Sequence, residues 1–345
     1  METVFIYTVF GYSGGRSTKT MIGIISRGGA VGRLVREIGM RLTAVLAAVA
    51  AAALAAGCST ATAGSQAGAG SPGGKIIVVA AENFWGSIAK QLGGSKVTEA
   101  SIISNPNTDP HDYEPTASDA RTISMAKLVV VNGIGYDPWA SKVLAANPVD
   151  GRQTLNVGDL LGLKDGDNPH QWYSAAHVRQ VAEAITADYK RLDPADAAYF
   201  TRQQHRFEAV ALAPYNRLIA QIRARYAGTP VGASESIVSP LAATLGLKML
   251  TPYSFLRAIS EGGEPTAQDK ATIDAQIRNK EIKIYIYNNQ NATPDVTAQV
   301  REARARHIPV TTVTETLVPA NATFEQWQVS QLERLESALH QATGR

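Results

Sequence analysis

Two histidines in this sequence are each preceded directly by a proline. His111 lies in the run Asp109-Pro-His, and His170 lies in the run Asn168-Pro-His. Proline fixes φ and biases the residue before it toward extended backbone, so each histidine is expected on a loop of defined shape. An imidazole held in this way can bind a divalent metal ion. It can also be an ordinary structural residue of a turn.

Two glutamates supply the oxygen donors that would complete such a site. Glu235 follows the apolar run PVGAS, and Glu315 comes just past the run IPVTTV. Loops beyond the carboxyl ends of parallel strands converge on the ligand crevice of an α/β sheet. Two imidazoles and two carboxylates then form a donor set that suits a first-row divalent ion. Each glutamate can alternatively cap the helix that follows it, since carboxylates favour helix N-termini.

The elements that must position these residues alternate between short apolar runs and helical stretches. The runs are KIIVVAA, VTEASII and KLVVVNG in the first half, and PVGAS, LKML, IKIYIY and IPVTTV in the second. Such alternation is typical of a mostly parallel sheet covered on both faces. Residues 175–226 carry apolar side chains at helical spacing instead. We therefore expect an α/β fold of two lobes joined by a long helix, with the metal site in the interlobe cleft.

The predicted domain boundaries follow from these changes of pattern. The first metal-binding lobe is expected at residues 75–174, the connecting helical region at 175–226 and the second lobe at 227–345. Residues 59–74 are rich in small residues and are expected to form a flexible tether.

Residues 40–58, MRLTAVLAAVAAAALAAGC, have the features of an export signal. A charged start precedes an apolar run that is short for a membrane span, and small residues precede Cys58. The end of the run, LAAGC, resembles a bacterial lipobox, which implies that the signal is removed and that Cys58 receives lipid. The alternative is an alanine-rich helix that ends at a buried cysteine.

Residues 1–39 do not fit this signal, because they have no clear periodicity and end directly before Met40. We expect them to be a non-native or unstructured extension. On this interpretation translation begins at Met40, with Met21 as the alternative.

The composition narrows the classes of function. The formal net charge is only +3 over 345 residues and there is no long basic run, so nucleic acid is not an expected partner. A single cysteine excludes a disulfide framework and a clustered-cysteine zinc site. The sequence contains neither a GxxxxGK[ST] phosphate-binding loop nor an HExxH zinc-protease motif.

Four features together resemble the metal-specific solute-binding lipoproteins of bacterial ABC transporters, a family often called cluster A-I. They are NPNTDPHDYEPTASD, NPHQWY, the long helical region and the late TETL, and the resemblance runs from about Lys75 to the C-terminus. The resemblance implies an extracytoplasmic receptor that is not an enzyme. It implies metal ligands at His111, His170, Glu235 and Glu315.

The resemblance also implies the cargo, the partners and the location. The cargo would be one Zn²⁺ or Mn²⁺ ion, with zinc favoured by the usual divalent order for this donor set. The partners would be an ABC permease of the cytoplasmic membrane and its ATPase, with the monomeric receptor anchored to the outer face through acylated Cys58.

Two departures from the family pattern affect the choice of metal. The fourth ligand position, commonly aspartate, is Glu315, and NNQN at residues 288–291 stands where relatives often carry an acidic residue. The alternatives from other classes are a zinc-dependent hydrolase, and a binding lipoprotein or adhesin for a non-metal ligand.

Overall fold

The computed structural model describes residues 74–108, 110 and 113–345. The predicted extension, the signal, Cys58, nearly all of the tether and His111 lie outside the described residues. Across the part of the chain that is described, no helix combines the length and the apolar character that a bilayer crossing requires.

Two four-stranded sheets form the framework. The strands of the first sheet are β1 (Ile76–Glu82), β2 (Val97–Ile103), β3 (Leu128–Val131) and β4 (Gln153–Asn156). Those of the second sheet are β5 (Pro230–Ala233), β6 (Lys248–Met249), β7 (Ile284–Asn288) and β8 (Val310–Val313). All pairings are parallel, and the orders β2-β1-β3-β4 and β6-β5-β7-β8 repeat one topology. The predicted two-lobed α/β fold is confirmed.

Helices cover both sheets and connect them. The helices around the first sheet are α1 (Asn83–Gly93), α2 (Ala117–Met125), α3 (Pro138–Ala146) and α4 (Val157–Leu161). The connecting helices are α5 (Ala175–Leu192), α6 (Ala197–Arg206) and α7 (Ala213–Tyr226). Those around the second sheet are α8 (Val238–Leu245), α9 (Tyr253–Ser260), α10 (Ala267–Arg278), α11 (Pro294–Ala305) and α12 (Phe324–Thr343). We call the first sheet with α1–α4 the first lobe, and the second sheet with α8–α12 the second lobe.

The connecting region contains one long helix with a widened turn. Helix α5 ends before Pro194, and residues 197–226 are then helical apart from a π-helical turn at Phe207–Ala211. There the N–H of Leu212 donates to the carbonyl of Phe207 at 2.8 Å. Pro214 has no N–H, and its ring would crowd the carbonyl four residues earlier, so the wider turn accommodates it. Helices α5 and α6 pack on α1, and α7 packs on α8 and α12, so this region contacts both lobes.

Candidate metal site

The crevice between the lobes lies at the carboxyl ends of the strands. In each sheet the strand order reverses beside the first strand, β1 or β5, and ligands bind at this point in open parallel sheets. Glu235 lies two residues beyond β5, and Glu315 lies two residues beyond β8. His170 lies on the loop between α4 and α5. Trp172 of the same loop stacks on Phe84 of α1 with ring centroids 3.9 Å apart, which fastens this loop to the first lobe.

His170 is fully buried, and its tautomer follows from its hydrogen bonds. Asn168 donates through Nδ2 to the carbonyl of Ser236 at 2.7 Å, which turns its Oδ1 toward His170 Nδ1 at 2.9 Å. The imidazole therefore donates through Nδ1, and the network assigns the lone pair to Nε2. The rings of Tyr136 and Trp172 meet the imidazole edge-on, with centroids 5.8 and 5.2 Å away, and fix its plane.

The lone-pair side of His170 faces Glu315 of the second lobe. His170 Nε2 lies 3.5 Å from Glu315 Oε2, and only 4% of Glu315 is exposed. Tyr136 donates its hydroxyl proton to the same oxygen at 2.8 Å, whereas Oε1 accepts from Asn288 Nδ2 at 2.9 Å. A nitrogen lone pair and a carboxylate oxygen from opposite lobes therefore face each other in a water-poor environment, where electrostatic interactions are strong.

The backbone around Glu315 is held on two sides. The side chain of Gln290 accepts from the N–H of Glu315 at 2.7 Å. The hydroxyl of Tyr173 lies 2.9 Å from the carbonyl of Thr314. Burial, together with the charge of Glu315, raises the pKa of Tyr173 well above its ordinary value, so the phenol remains a donor. Because Tyr173 follows His170 by three residues, this contact ties the histidine loop to the end of β8.

Glu235 is fully buried, and its Oε2 accepts from Asn291 Nδ2 at 3.0 Å. Helix α8 begins after Ile237, whose position as N-cap provides no side-chain bond. The helix that follows Glu315 begins only at Phe324 and is capped by Thr323. The helix-cap alternative is therefore wrong for Glu315. The carboxylate of Glu235 contacts the side-chain amide of Asn291.

Of the three predicted ligands that lie among the described residues, the structure places two in direct contact. His170 and Glu315 are in direct contact, and Glu235 is linked to them through Ser236, whose hydroxyl lies 3.4 Å from His170 Nδ1. Among residues 74–108, 110 and 113–345, no three histidine, cysteine, aspartate or glutamate side chains form a group that could hold a metal ion. His111 is not among those residues.

A buried loop after β3 was not identified from the sequence as part of the site. Asp137 accepts hydrogen bonds from the backbone N–H groups of Asn132 and Gly133, both at 2.7 Å. Ile134 has a φ of 59°, in the left-handed region, so the chain turns sharply here and presents Tyr136 to Glu315. The sequence signal was NGIGYD, in which two glycines and an asparagine follow a buried strand.

A second carboxyl group lies against this loop. Glu82, the last residue of β1, is fully buried, and burial, followed by the charge of Asp137, raises its pKa well above the ordinary value. Burial also raises the pKa of Asp137 to about 6, although backbone hydrogen bonds lower it. Burial therefore favours the protonated form of Glu82, while Asp137 accepts hydrogen bonds from the loop.

A protein-family model and solved structures match this chain. The family described as ZnuA, zinc-uptake complex component A, periplasmic, matches residues 78–338. The solved Mn-bound periplasmic metal binding protein from Candidatus Liberibacter asiaticus matches with a TM-score of 0.64 and 20% identity. That match covers 77% of this chain and 100% of the other, and it shows the fold.

Curated relatives match shorter segments. The manganese-binding lipoprotein MntA of Halalkalibacterium halodurans is 27% identical over 136 residues, which cover 39% of this chain and 45% of that protein. The zinc-binding lipoprotein AdcA of Streptococcus pneumoniae serotype 4 is 23% identical over 282 residues, which cover 74% of this chain and 53% of that protein. The chain thus spans about half the length of the curated relatives it matches.

Proposed function

Because the chain belongs to the periplasmic zinc-uptake component A family, we propose that it is the substrate-binding component of an ABC importer for Zn²⁺ or Mn²⁺. It captures the ion outside the cytoplasmic membrane and delivers it to a permease that a separate ATPase drives. Relatives named for zinc binding and for manganese binding support this choice of cargo. The family consists of non-catalytic binding proteins, which argues against the hydrolase alternative.

The site is proposed to hold one ion between the lobes, with His111, His170, Glu235 and Glu315 as ligands. The observation that carries this proposal is the 3.5 Å approach of His170 Nε2 to Glu315 Oε2, because the two groups come from opposite lobes and both are buried. An ion placed between a neutral imidazole and a carboxylate replaces their direct contact with two coordination bonds and holds the lobes together. Ligands bind when deprotonated, so acid weakens capture.

Zinc is the favoured cargo at equal free concentrations. Nitrogen donors from imidazole and a small number of donors both suit Zn²⁺. Such sites bind Zn²⁺ with higher intrinsic affinity than Mn²⁺. Manganese remains an alternative cargo where that ion is more available.

The receptor is proposed to be anchored through lipid on Cys58, with residues 59–74 as the tether. Relatives whose names include lipoprotein support this arrangement. Two acyl chains provide stable attachment to a membrane surface. Cys58→Ser should release the protein into the aqueous phase of a detergent partition without changing metal binding. Equal membrane retention of the variant contradicts the anchor.

Native mass spectrometry of the full chain tests the metal site. The protein is equilibrated with Zn²⁺ and Mn²⁺ at controlled free concentrations, alongside His170→Ala and the control His205→Ala, whose exposed imidazole lies on α6. We expect one ion per chain, zinc retained preferentially, loss of the ion in His170→Ala and full retention in His205→Ala. Retention in both variants, or two tightly held ions, contradicts the proposed site.

A further inference from the structure

The last residue of β7 and the turn after it, residues 288–291, place a side-chain amide against each of the two glutamates. We call this segment the amide loop. Asn288 Nδ2 donates to Glu315 Oε1 at 2.9 Å, and Asn291 Nδ2 donates to Glu235 Oε2 at 3.0 Å. Asn288 is fully buried at the end of the strand. One loop therefore contacts one oxygen of each carboxylate.

Further hydrogen bonds fix the orientation of both amides. Asn288 Oδ1 accepts from the backbone N–H of Gln290 at 3.0 Å, so its Nδ2 must face Glu315. Asn291 Nδ2 also lies 3.3 Å from the carbonyl of Ile259, an acceptor that again requires the NH₂ group on this side. The donors cannot be exchanged for the amide oxygens without placing oxygen against oxygen.

The amide loop is also anchored by Gln290, through hydrogen bonds that do not involve the glutamate carboxylates. Gln290 donates through Nε2 to the hydroxyl of Thr316 at 3.0 Å and to the carbonyl of Pro106. Its Oε1 accepts from the N–H of Glu315 at 2.7 Å. The loop is thus held against both lobes, so Asn288 and Asn291 cannot follow a carboxylate that rotates.

We propose that Asn288 and Asn291 set the metal preference of the site by limiting each glutamate to one coordinating oxygen. This inference rests on the proposed function. Bidentate binding would turn both oxygens of a carboxylate toward the ion and would pull the amide-bound oxygen away from its asparagine. Donation from a fixed amide to a carboxylate is a charge-assisted hydrogen bond, and breaking it in a buried site is unfavourable.

The number of donors then distinguishes the two ions. Two imidazole nitrogens and one oxygen from each glutamate make four donors, the number that Zn²⁺ takes in a tetrahedral site. Two bidentate glutamates would make six, which suits the octahedral, oxygen-rich coordination of Mn²⁺. The amide loop thereby favours Zn²⁺ and disfavours Mn²⁺ at the same four residues.

Alanine substitutions in the full chain test this inference. The variants are Asn288→Ala, Asn291→Ala and the double variant, with Asn289→Ala as the matched control, since Asn289 is an exposed residue of the same loop. Dissociation constants for Zn²⁺ and for Mn²⁺ are measured by competition with a chelating dye. We expect the preference for zinc over manganese to fall about tenfold in each single variant and further in the double variant, because residues that orient ligands typically change metal affinity by this amount. The control should keep the wild-type ratio.

An unchanged ratio in folded variants overturns the inference while leaving the proposed function intact. A wild-type protein that binds neither ion overturns both. X-ray absorption spectroscopy of the zinc-loaded wild-type protein counts the donor atoms around zinc. It tests the inference even if circular dichroism shows that a variant does not fold. Four donors around zinc support the inference, and five or six overturn it.

Discussion

The two halves of the candidate site are held by different means. On the first-lobe side, His170 is fixed by a proline before it, by edge-on contacts with Tyr136 and Trp172, and by the hydrogen bond from Nδ1 to Asn168. On the second-lobe side, Glu235 and Glu315 are fixed by amide hydrogen bonds. A neutral imidazole can be positioned by apolar packing, because burying it costs little. A buried carboxylate needs donors to offset its lost hydration.

The difference explains why β7 ends in asparagine rather than in an acidic or a basic residue. An aspartate at position 288 would place a second negative charge against Glu315. A lysine would supply a fixed positive charge that competes with the ion. The amide donates a hydrogen bond without either effect, so the carboxylates stay oriented and available for a cation.

The largest expected effect comes from removing a carboxylate of the second-lobe half. Glu315→Gln keeps the volume but removes the charge, so we expect the unliganded protein to remain folded and the stabilisation by zinc to be lost. At a zinc concentration of about 1,000 times Kd that stabilisation is about 4 kcal/mol. Melting curves with and without zinc measure it, and Glu333→Gln, an exposed site on α12, is the control. If zinc raises the melting temperature of wild type and of Glu315→Gln equally, Glu315 is not a ligand.

The sequence was sufficient to predict the two-lobed fold and to select the residues that are proposed as ligands. The runs IIVVAAE and VTEASII are apolar strands bounded by turns and helices, and they occur as β1 and β2. A proline directly precedes His170 and indicated a loop of defined shape, and Glu235 and Glu315 each followed a recognisable strand. These features are local, so a single sequence reveals them. The short strand β4, QTLN, was not identified, because three of its four residues are polar and its side chains are partly exposed.

The partners of the ligands could not be predicted in the same way. Asn288 meets a glutamate 27 positions away and Asn291 meets one 56 positions away. Both contacts depend on β7 lying between β5 and β8 in the sheet. That order is a tertiary property, and the residues NNQN alone indicate only a polar loop. Tyr136 reaches Glu315 through the left-handed turn at Ile134, which the sequence signals only through the flanking glycines.

The next largest effect is expected from a substitution in the loop after β3, which supports His170. Asp137→Ala removes the acceptor of one buried and one partly buried backbone N–H group, and leaving these donors without partners costs about 3 kcal/mol in total. We expect this loss of unfolding free energy in urea titrations of the unliganded protein. Asp150→Ala, at an exposed position before β4, should change it little. A loss below about 1 kcal/mol in Asp137→Ala would mean that water replaces the carboxylate.

A smaller effect is expected from pH, through Glu82 and Asp137. Burial raises both pKa values, that of Asp137 to about 6, so the folded state holds these protons more tightly than the unfolded state does. Their contribution to stability is therefore complete below about pH 4 and is lost as the pH rises through the raised values. Glu82→Gln stays neutral, so we expect its stability relative to wild type to increase between pH 5 and 7, by at most about 1.4 kcal/mol per pH unit.

Urea titrations in the presence of a chelator at pH 5, 6 and 7 measure this difference. Glu333→Gln, at an exposed position, should remain parallel to wild type over the same range. Parallel curves for Glu82→Gln and wild type would show that Glu82 titrates alike in the folded and unfolded states.

The smallest expected effect tests the contact between the two halves. Tyr136→Phe removes only the hydroxyl that donates to Glu315 Oε2 at 2.8 Å, and the ring keeps its packing against His170 and Trp172. The net loss of one buried hydrogen bond lowers the free energy of unfolding by about 1 kcal/mol, so the unliganded protein should unfold at a slightly lower urea concentration.

Because this bond joins the first lobe to a carboxylate of the second, its loss should also ease separation of the lobes. Zinc release into an excess of chelator, followed by stopped flow, should therefore accelerate. Tyr253→Phe, at a half-exposed ring on α9, serves as the control. An unchanged release rate in Tyr136→Phe would indicate that the other interlobe bonds, such as Asn168 to the carbonyl of Ser236, hold the lobes together without it.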